Sequence, residues 1–184
     1  MSDLDIVKSF EDHGVVPDVV PEAPSNLVKV SYGNGKVVSL GDILTPTQVK
    51  DEPVLITWSA ESDVLYTLIM TDPDAPSRAN PTLGEVKHWL VINIPGSDVE
   101  KGVEIAAYRG SGPPKGTGLH RYVFLVFKQK QALQLDEPRV PRFSREGRLN
   151  WSARKFAEKH SLELVAGNFY QAEWDEYVDT IPRS

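Results

Sequence analysis

The sequence predicts a mainly β protein, an antiparallel β-sandwich with a few peripheral α-helices. Its apolar runs are short, rich in β-branched and aromatic residues, and bounded by glycine, proline or asparagine, which is typical of strands. They follow one another without alternating helical segments, so the parallel sheet of an α/β protein is not expected. Because domains typically span roughly 100–200 residues, we predict a single domain over residues 1–184.

The N-terminal part of the chain is predicted to form a helix, an extended strap and a β-hairpin. Residues 2–13 place apolar side chains on one helical face, and Ser2 can cap this helix. Three prolines in residues 15–24 remove N–H donors and fix φ, so neither a helix nor a central strand is expected there. Two alternating runs, 27–32 and 36–40, flank a Gly-Asn-Gly sequence, which is a strong hairpin signal.

The rest of the chain is predicted as a series of strands with one late helix. Thr45-Pro46 marks a capped turn, with Pro46 at the first helical position. Asn150 is predicted to cap a helix over residues 151–160. The predicted strands are residues 53–58, 64–70, 87–94, 103–108, 122–128, 162–166 and 168–174.

Composition excludes several classes of protein. The absence of cysteine excludes a disulfide framework, a thiolate nucleophile and a cysteine-ligated zinc site. The acidic N-terminus lacks the basic start and apolar run of a signal peptide. No apolar run approaches the roughly 20 residues that a membrane-spanning helix needs. We therefore expect a soluble, cytoplasmic protein without a transmembrane segment.

Charge is distributed unevenly along the chain. The net charge of −6 argues against a dedicated nucleic-acid-binding protein. Residues 1–108 carry 7 basic and 17 acidic side chains, whereas residues 109–160 carry 12 basic and 4 acidic ones. This basic block is compatible with an anionic small ligand, a phosphorylated headgroup or an acidic protein partner, but charge alone favours a solvated surface patch.

The basic block begins at a glycine-rich stretch, Gly110 to Tyr122, with four glycines and two prolines in its first nine residues. Glycines let backbone N–H groups approach a ligand, and such a loop can form a nest for an anion. A plain connection leading into the next strand is the structural alternative.

Further polar residues lie where predicted strands meet loops, which is where a rigid sheet presents a site. They are Asp72 and Asp74 in an Asp-Pro-Asp loop, His88 at a strand start, and His120 with Tyr122. Each also has a structural interpretation. An Asp-Pro-Asp turn can cap its own backbone, and a histidine in a strand can be half-buried with its nitrogens satisfied.

Together these segments closely resemble the phosphatidylethanolamine-binding protein family, which includes Raf kinase inhibitor protein. The resemblance spans most of the chain in order, through Thr71–Arg78, His88-Trp-Leu-Val, Gly110–Tyr122 and Tyr170-Gln-Ala-Glu-Trp174. It implies a β-sandwich with peripheral helices and a small anion pocket at the end of the sheet. That pocket takes phosphate, acetate or a phosphorylated headgroup in the family. The resemblance also implies a cis bond between Ala75 and Pro76.

By resemblance, the ligand-binding residues are Asp72, Pro76, His88, Gly110, Gly112, Pro114, His120 and Tyr122. The histidines, the tyrosine and the loop amides can donate to phosphate oxygens, whereas Asp72 is expected to orient a histidine or to accept from an ethanolamine ammonium. Because a free histidine titrates near pH 6.5, anion affinity is predicted to fall between about pH 5.5 and 8.

The chain departs from the family pattern at the rim of the expected pocket. Family members often have aromatic residues where this chain has Leu83 and Val86, and a tyrosine and a leucine near the C-terminus where it has Ile181 and Pro182. A less aromatic rim weakens the case for recognition of ethanolamine through cation–π contacts.

The resemblance implies a regulatory binding protein that is neither an enzyme nor cofactor-dependent. It would modulate a protein kinase signalling partner, with peripheral membrane contact through a phospholipid headgroup. Inhibition of a serine protease is the alternative within the family. A hydrolase with a Ser111, His120 and Asp72 triad is disfavoured, because Arg and Pro stand where the nucleophile elbow needs glycine. A metal site from Asp72, Asp74, His88 and His120 is a further alternative.

Overall fold

The computed structural model describes residues 3–182, and its centre is a six-stranded β-sheet. Helices are α1 (Asp3–Asp12), α2 (Val15–Asp18) and α3 (Ala153–Lys159), and 3₁₀ turns span Val99–Lys101 and Glu176–Thr180. The strands are β1 (Asn26–Leu27), β2 (Lys29–Ser31), β3 (Leu55–Thr57), β4 (Leu65–Asp72), β5 (Val86–Pro95), β6 (Val103–Ala106), β7 (His120–Lys128) and β8 (Glu163–Ala172).

The large sheet is mixed, so the prediction of a wholly antiparallel sandwich is wrong in part. Its strand order is β1-β8-β7-β4-β5-β6, and β1 runs parallel to β8 while the other neighbours are antiparallel. Within residues 3–182, the second sheet is the two-stranded antiparallel β2-β3, so no second full sheet of these residues closes a sandwich. A hairpin forces antiparallel pairing, but β1 and β8 lie at opposite ends of the chain and are free to pair in parallel.

Both faces of the large sheet are buried, because successive side chains of a strand point to opposite sides. One face, called here the β2–β3 face, packs against the small sheet and loops through residues such as Tyr32, Val49 and Trp58. The other, called the helical face, packs against α1 and α3 through residues such as Phe10 and Phe156. The mainly β prediction with peripheral helices is confirmed.

The predicted hairpin forms its turn but not its second strand. Tyr32 N donates to Lys36 O at 2.8 Å and Gly35 N to Tyr32 O at 3.0 Å, but the second run contributes only an isolated bridge between Ser31 and Val37. β2 pairs instead with β3. The Asn168 side-chain amide donates to Val38 O at 3.0 Å, so a side chain satisfies a carbonyl that a strand partner would otherwise take.

The proline-rich strap begins with one short turn rather than being extended throughout. α2 is a kinked turn in which Val16 has non-helical angles, φ −98° and ψ 119°. The helix over residues 151–160 is present, but Ser152 caps it by accepting from Lys155 N at 3.2 Å, not Asn150. The expected cap at Ser2 lies outside the described residues. None of the helices within residues 3–182 has the length and apolar character that crossing a bilayer requires.

The two late strands are one continuous strand, β8. Gly167, which separates the two predicted strands, lies within it, and a Cβ there would be 2.9 Å from both Phe10 Cζ and Pro24 Cγ. The glycine therefore allows α1 and the strap to pack closely on the sheet, and it does not end the strand.

Candidate functional site

The ends of β4 and β7 bring Asp72, His120 and Tyr122 together. Thr71 pairs with Val123 in this antiparallel ladder, so β4 ends at Asp72 where β7 begins at His120. Even-numbered residues of both strands face the β2–β3 side, as Met70 and Tyr122 do in the core. The three polar side chains therefore share one end of that face, as the strand–loop argument predicted.

Asp72 and His120 form a buried pair. His120 Nδ1 lies 2.9 Å from Asp72 Oδ2, with the two side chains 1% and 4% exposed. His120 Nε2 lies 2.9 Å from Thr117 Oγ1, whose hydroxyl donates to Pro114 O at 2.7 Å. Because the single hydroxyl hydrogen is used at Pro114, Thr117 Oγ1 accepts from Nε2. The His120 ring is therefore held between a carboxylate on one side and a loop hydroxyl on the other.

His88 faces the same cluster from β5 as a neutral base. The register shifts between Met70 and Thr71, and this irregularity leaves His88 without a paired residue and re-aims its side chain. Its Nδ1 lies 2.7 Å from Arg109 O. Burial lowers the pKa of His88 to about 4, so this residue stays uncharged between pH 5.5 and 8 and cannot supply the pH-dependent affinity predicted from the sequence.

Tyr122 lies in the middle of an aromatic cluster, edge-on to one ring and stacked on another. Its ring lies 5.4 Å from His88 at 85° and 5.2 Å from Tyr170 at 20°. Ser111 is fully buried and hydrogen-bonded to the Tyr170 hydroxyl. Burial raises the pKa of Tyr122 and Tyr170 well above the ordinary tyrosine value, so both hydroxyls remain protonated and able to donate.

Two arginines that the sequence did not single out lie behind His88. Arg148 is 1% exposed, and its side chain donates to backbone carbonyls, including His88 O at 3.1 Å and Ala107 O at 2.8 Å. Burial lowers its pKa to about 10, which leaves it charged at neutral pH. Arg109 Nη1 is buried without a hydrogen-bond partner. In sequence, both residues are ordinary loop arginines, so no signal marked them.

Asp74 does not join this cluster. Its carboxylate accepts from Arg121 N at 2.9 Å, Arg121 Nε at 2.9 Å and Arg121 Nη2 at 2.7 Å. The four-residue metal set of Asp72, Asp74, His88 and His120 is therefore divided by this ion pair. Among residues 3–182, no group of three or more histidine, aspartate or glutamate side chains is placed to hold a metal ion.

The glycine-rich loop has a packed start and an exposed middle. A Cβ at Gly110 would lie 2.9 Å from Val49 O and 3.0 Å from Lys50 O, so Gly110 is placed by packing against backbone. Gly112 and Pro114 are exposed. The loop then returns to the sheet through the Thr117 contact with His120.

The rim residues lie on either side of this loop. Val86 is paired with Asp72 across β4 and β5, and Ile181 Cδ1 would be 3.2 Å from a Cβ on Gly112. Leu83 N donates to Ala75 O at 2.9 Å. Ala75 precedes Pro76, which is half-buried, and the bond between them is cis as the resemblance implied. Pro182 is exposed.

A cleft of about 1230 Å³ opens on the other side of the Asp-Pro-Asp loop and is lined by Asp74, Glu85, Arg121, Trp151 and Phe156. Its buried polar groups already have partners. Arg121 is bonded to Asp74, and Glu85 accepts from Thr71 Oγ1 at 2.9 Å and Ala153 N at 3.1 Å. The chemistry of the side chains therefore favours the His120 cluster over this cleft as the functional site.

Comparison with known proteins identifies one family. Residues 26–171 match the family described as phosphatidylethanolamine-binding protein. The chain is 36% identical over 184 residues to "Putative odorant-binding protein A5" of Drosophila melanogaster, a match covering all of this chain and 87% of that protein. It is 42% identical over 168 residues to a "26 kDa secreted antigen" of Toxocara canis, covering 89% of this chain and 63% of that protein.

A solved structure shows the same architecture. It is that of carboxypeptidase Y inhibitor complexed with the cognate proteinase, which is 27% identical in sequence, with a TM-score of 0.80. The match covers 95% of this chain and 97% of the inhibitor.

Proposed function

The chain belongs to the phosphatidylethanolamine-binding protein family, and we propose that it is a regulatory binding protein whose His120 site takes phosphate or a phosphorylated headgroup. The observation that supports this most is the balance of charge. Asp72 is matched by His120 at 2.9 Å, and Arg148 is buried with only carbonyl partners. The buried positive charge of Arg148, together with tyrosine and histidine donors, suits an oxyanion.

Thr117 offers a route for the ligand to enter. Its hydroxyl oxygen lies at the position, 2.9 Å from His120 Nε2, that a phosphate oxygen would take. A ligand that displaces Thr117 exchanges a neutral acceptor for an anionic one, and hydrogen bonds between charged partners are roughly twice as strong as neutral ones.

Titration with inorganic phosphate, phosphoethanolamine and phosphotyrosine, followed by NMR, tests the proposal. His120→Ala is expected to weaken binding at least tenfold, since a hydrogen bond to a charged group contributes about 1.5–3 kcal/mol. His160→Ala is the matched control, because His160 lies at the end of α3 and packs on Phe156. Unchanged affinity in a folded His120→Ala protein would contradict the assignment.

We propose that the site recognises a phosphorylated headgroup through its phosphate and not through its ammonium. Val86 and Ile181 give the rim aliphatic contacts, and an aliphatic side chain cannot hold an ammonium by cation–π contact. Phosphoethanolamine is therefore expected to bind no more than a few-fold tighter than phosphate. A much larger gain would show that Asp72 accepts from the ammonium.

Binding without catalysis is part of the proposal. Ser111 is fully buried and hydrogen-bonded to Tyr170, which does not suit a nucleophile that must meet a substrate. A fluorophosphonate probe is expected to leave the chain unlabelled. Labelling at Ser111 would revive the hydrolase alternative.

A protein kinase remains the proposed partner, as the family resemblance implies, and ten of the 12 basic residues in 109–160 are not buried. Proteinase inhibition is the second candidate, favoured by the likeness to the carboxypeptidase Y inhibitor. Inhibition assays against a kinase panel and against serine carboxypeptidases distinguish the two. Loss of kinase activity alone supports the first, and loss of peptidase activity alone supports the second.

A cytoplasmic location is likewise proposed, because the chain has none of the cysteines from which secreted proteins often form disulfides. The Toxocara canis relative is named a secreted antigen, so secretion is the alternative. Fractionation of cells and medium with an antibody against the chain decides between them.

A further inference from the structure

We propose that this site selects an anion that carries its own proton, a phosphate or phosphomonoester monoanion, over a tetrahedral anion that can only accept hydrogen bonds, such as sulfate. The inference rests on the proposed function, because it concerns what the same site takes. It follows from the tautomer of His88.

The Arg109 carbonyl fixes that tautomer. A carbonyl oxygen only accepts, and it lies 2.7 Å from His88 Nδ1, so the proton of the ring is on Nδ1. In a neutral imidazole the other nitrogen, Nε2, then carries a lone pair and is an acceptor.

The surroundings of His88 keep the ring neutral. Burial is the main reason that its pKa is lowered to about 4; Asp72 and the bond to the Arg109 carbonyl oppose this shift, and Arg148 and Arg109 add to it. The Tyr122 ring meets it edge-on at 5.4 Å and 85°. At neutral pH the site therefore contains an acceptor beside its donors.

His88 Nε2 is also open to a ligand. Among the described residues, the buried side-chain polar atoms that lack a partner are Trp58 Nε1, Arg109 Nη1 and Arg142 Nε. His88 Nε2 has no protein hydrogen-bond partner within that part of the chain, and His88 keeps 5% of its surface exposed. Asp72 is less available for this role, because each of its two oxygens already accepts one hydrogen bond, from Asp74 N and from His120.

A ligand oxygen placed against His88 Nε2 must donate a proton. A phosphate monoanion has a P–OH group that does so, while its remaining oxygens accept from His120 and Tyr122. Sulfate and a phosphate dianion present only lone pairs, and they leave a desolvated acceptor unpaired. The cost of such an unpaired group corresponds to a loss of roughly 5- to 150-fold in affinity.

Affinity should then follow the ionisation of the ligand. A phosphomonoester loses its last proton with a pKa of about 6, so its affinity is expected to fall about tenfold per pH unit above that value. A ligand with a higher second pKa keeps its affinity to a correspondingly higher pH. If the titrating group were a histidine of the protein, the pH at which affinity is half lost would be the same for every ligand.

Calorimetric titration of the full chain between pH 5.5 and 8.5 with phosphate, phenyl phosphate, methylphosphonate and sulfate tests the inference. We expect sulfate to bind at least fivefold more weakly than phosphate at pH 6, and the midpoints to differ between the phosphorus ligands. Equal affinity for sulfate and phosphate, or one shared midpoint, would overturn it. Absence of binding by all four ligands would remove the proposed function and this inference with it.

His88→Asn provides the second test, because its side-chain amide can still donate to Arg109 O but lacks an acceptor at the Nε2 position. The ratio of phosphate to sulfate affinity is expected to drop towards one, while His160→Asn leaves the ratio unchanged. An unchanged ratio in folded His88→Asn would contradict the role of His88. Should that variant not fold, the ligand series on the unaltered chain still decides.

Discussion

Two acid–base pairs come from the same two short segments of this chain, yet they occupy opposite sides of the sheet and differ in what they can do. Asp72 pairs with His120, and Asp74 pairs with Arg121. The Asp74–Arg121 pair is closed, because three donor atoms of Arg121 fill the carboxylate. The Asp72–His120 pair is adjustable in the sense that His120 can take another partner, because its Nε2 is hydrogen-bonded to the hydroxyl of Thr117, a loop residue.

The difference shows how one loop can serve both stability and binding. Arg121 is charged at any physiological pH, so its pair with Asp74 persists across that range. The Arg121 guanidinium also contacts Asp18 at 2.9 Å and donates to His13 O at 2.9 Å. Histidine can exchange both proton and partner. Breaking the first pair should therefore unfold the protein, whereas changing the second should alter ligand binding.

Asp74→Asn is expected to have the largest effect. It leaves the Arg121 guanidinium, 3% exposed, with only the half-exposed Asp18 as a counter-charge, and breaking a buried pair costs about 3–5 kcal/mol. Urea unfolding measures the change. Arg78→Ala is the control, since Arg78 is exposed and donates to His13 O. A loss no greater than that of the control would show that the pair is not structural.

His88 should make stability depend on pH. Its pKa is about 4 in the folded protein and about 6.5 in the unfolded chain. Between these values the unfolded chain binds a proton that the folded protein does not. The contribution of His88 is therefore present above pH 6.5 and falls as pH is lowered towards 4, by up to about 3 kcal/mol.

Unfolding of the unaltered chain and of His88→Asn at pH 7, 6, 5 and 4 measures this contribution as the difference between the two proteins. The difference should shrink as pH falls. A constant difference would mean that His88 is not neutralised by burial.

Thr117→Val should change the adjustable pair and leave the closed one intact. It frees His120 Nε2 for the ligand, so phosphate affinity is expected to rise roughly 2- to 10-fold, the worth of one hydrogen bond. Thr117→Ser keeps the hydroxyl and serves as the control. Calorimetry on both proteins decides, and weaker binding by Thr117→Val would mean that Thr117 assists the ligand.

Asp18→Asn should have the smallest effect, although Asp18 contacts the same guanidinium as Asp74 at a similar distance. Its side chain is 49% exposed, and exposed ion pairs contribute at most about 1 kcal/mol. Thermal unfolding compares it with Asp74→Asn. Equal losses would show that pairing, and not burial, sets the strength of each contact.

Motif spacing predicted much of the candidate site. Asp72, His88, His120 and Tyr122 each stand where a strand meets a loop, and the structure brings them to one sheet end. Asp74 was grouped with them wrongly. Residues two apart share a face only within a strand, and β4 ends at Asp72, so the loop was free to turn Asp74 towards Arg121.

Other contributors depend on contacts that are distant in sequence. Arg148 reaches the site through carbonyls some 60 residues away, and Thr117 through a bend of the glycine loop. Neither position has a residue type that is unusual for a loop, so composition could not mark it.

The sequence by itself determined most of the strands, the mainly β class and the family, because alternation, turn residues and ordered motifs are local properties. Tertiary structure decided the parallel pairing of β1 with β8, the irregularity that turns His88, and the division of Asp72 from Asp74. Each of these depends on which segments meet in space. Pairing direction, burial and the protonation of a buried histidine are set by neighbours that the order of residues does not reveal.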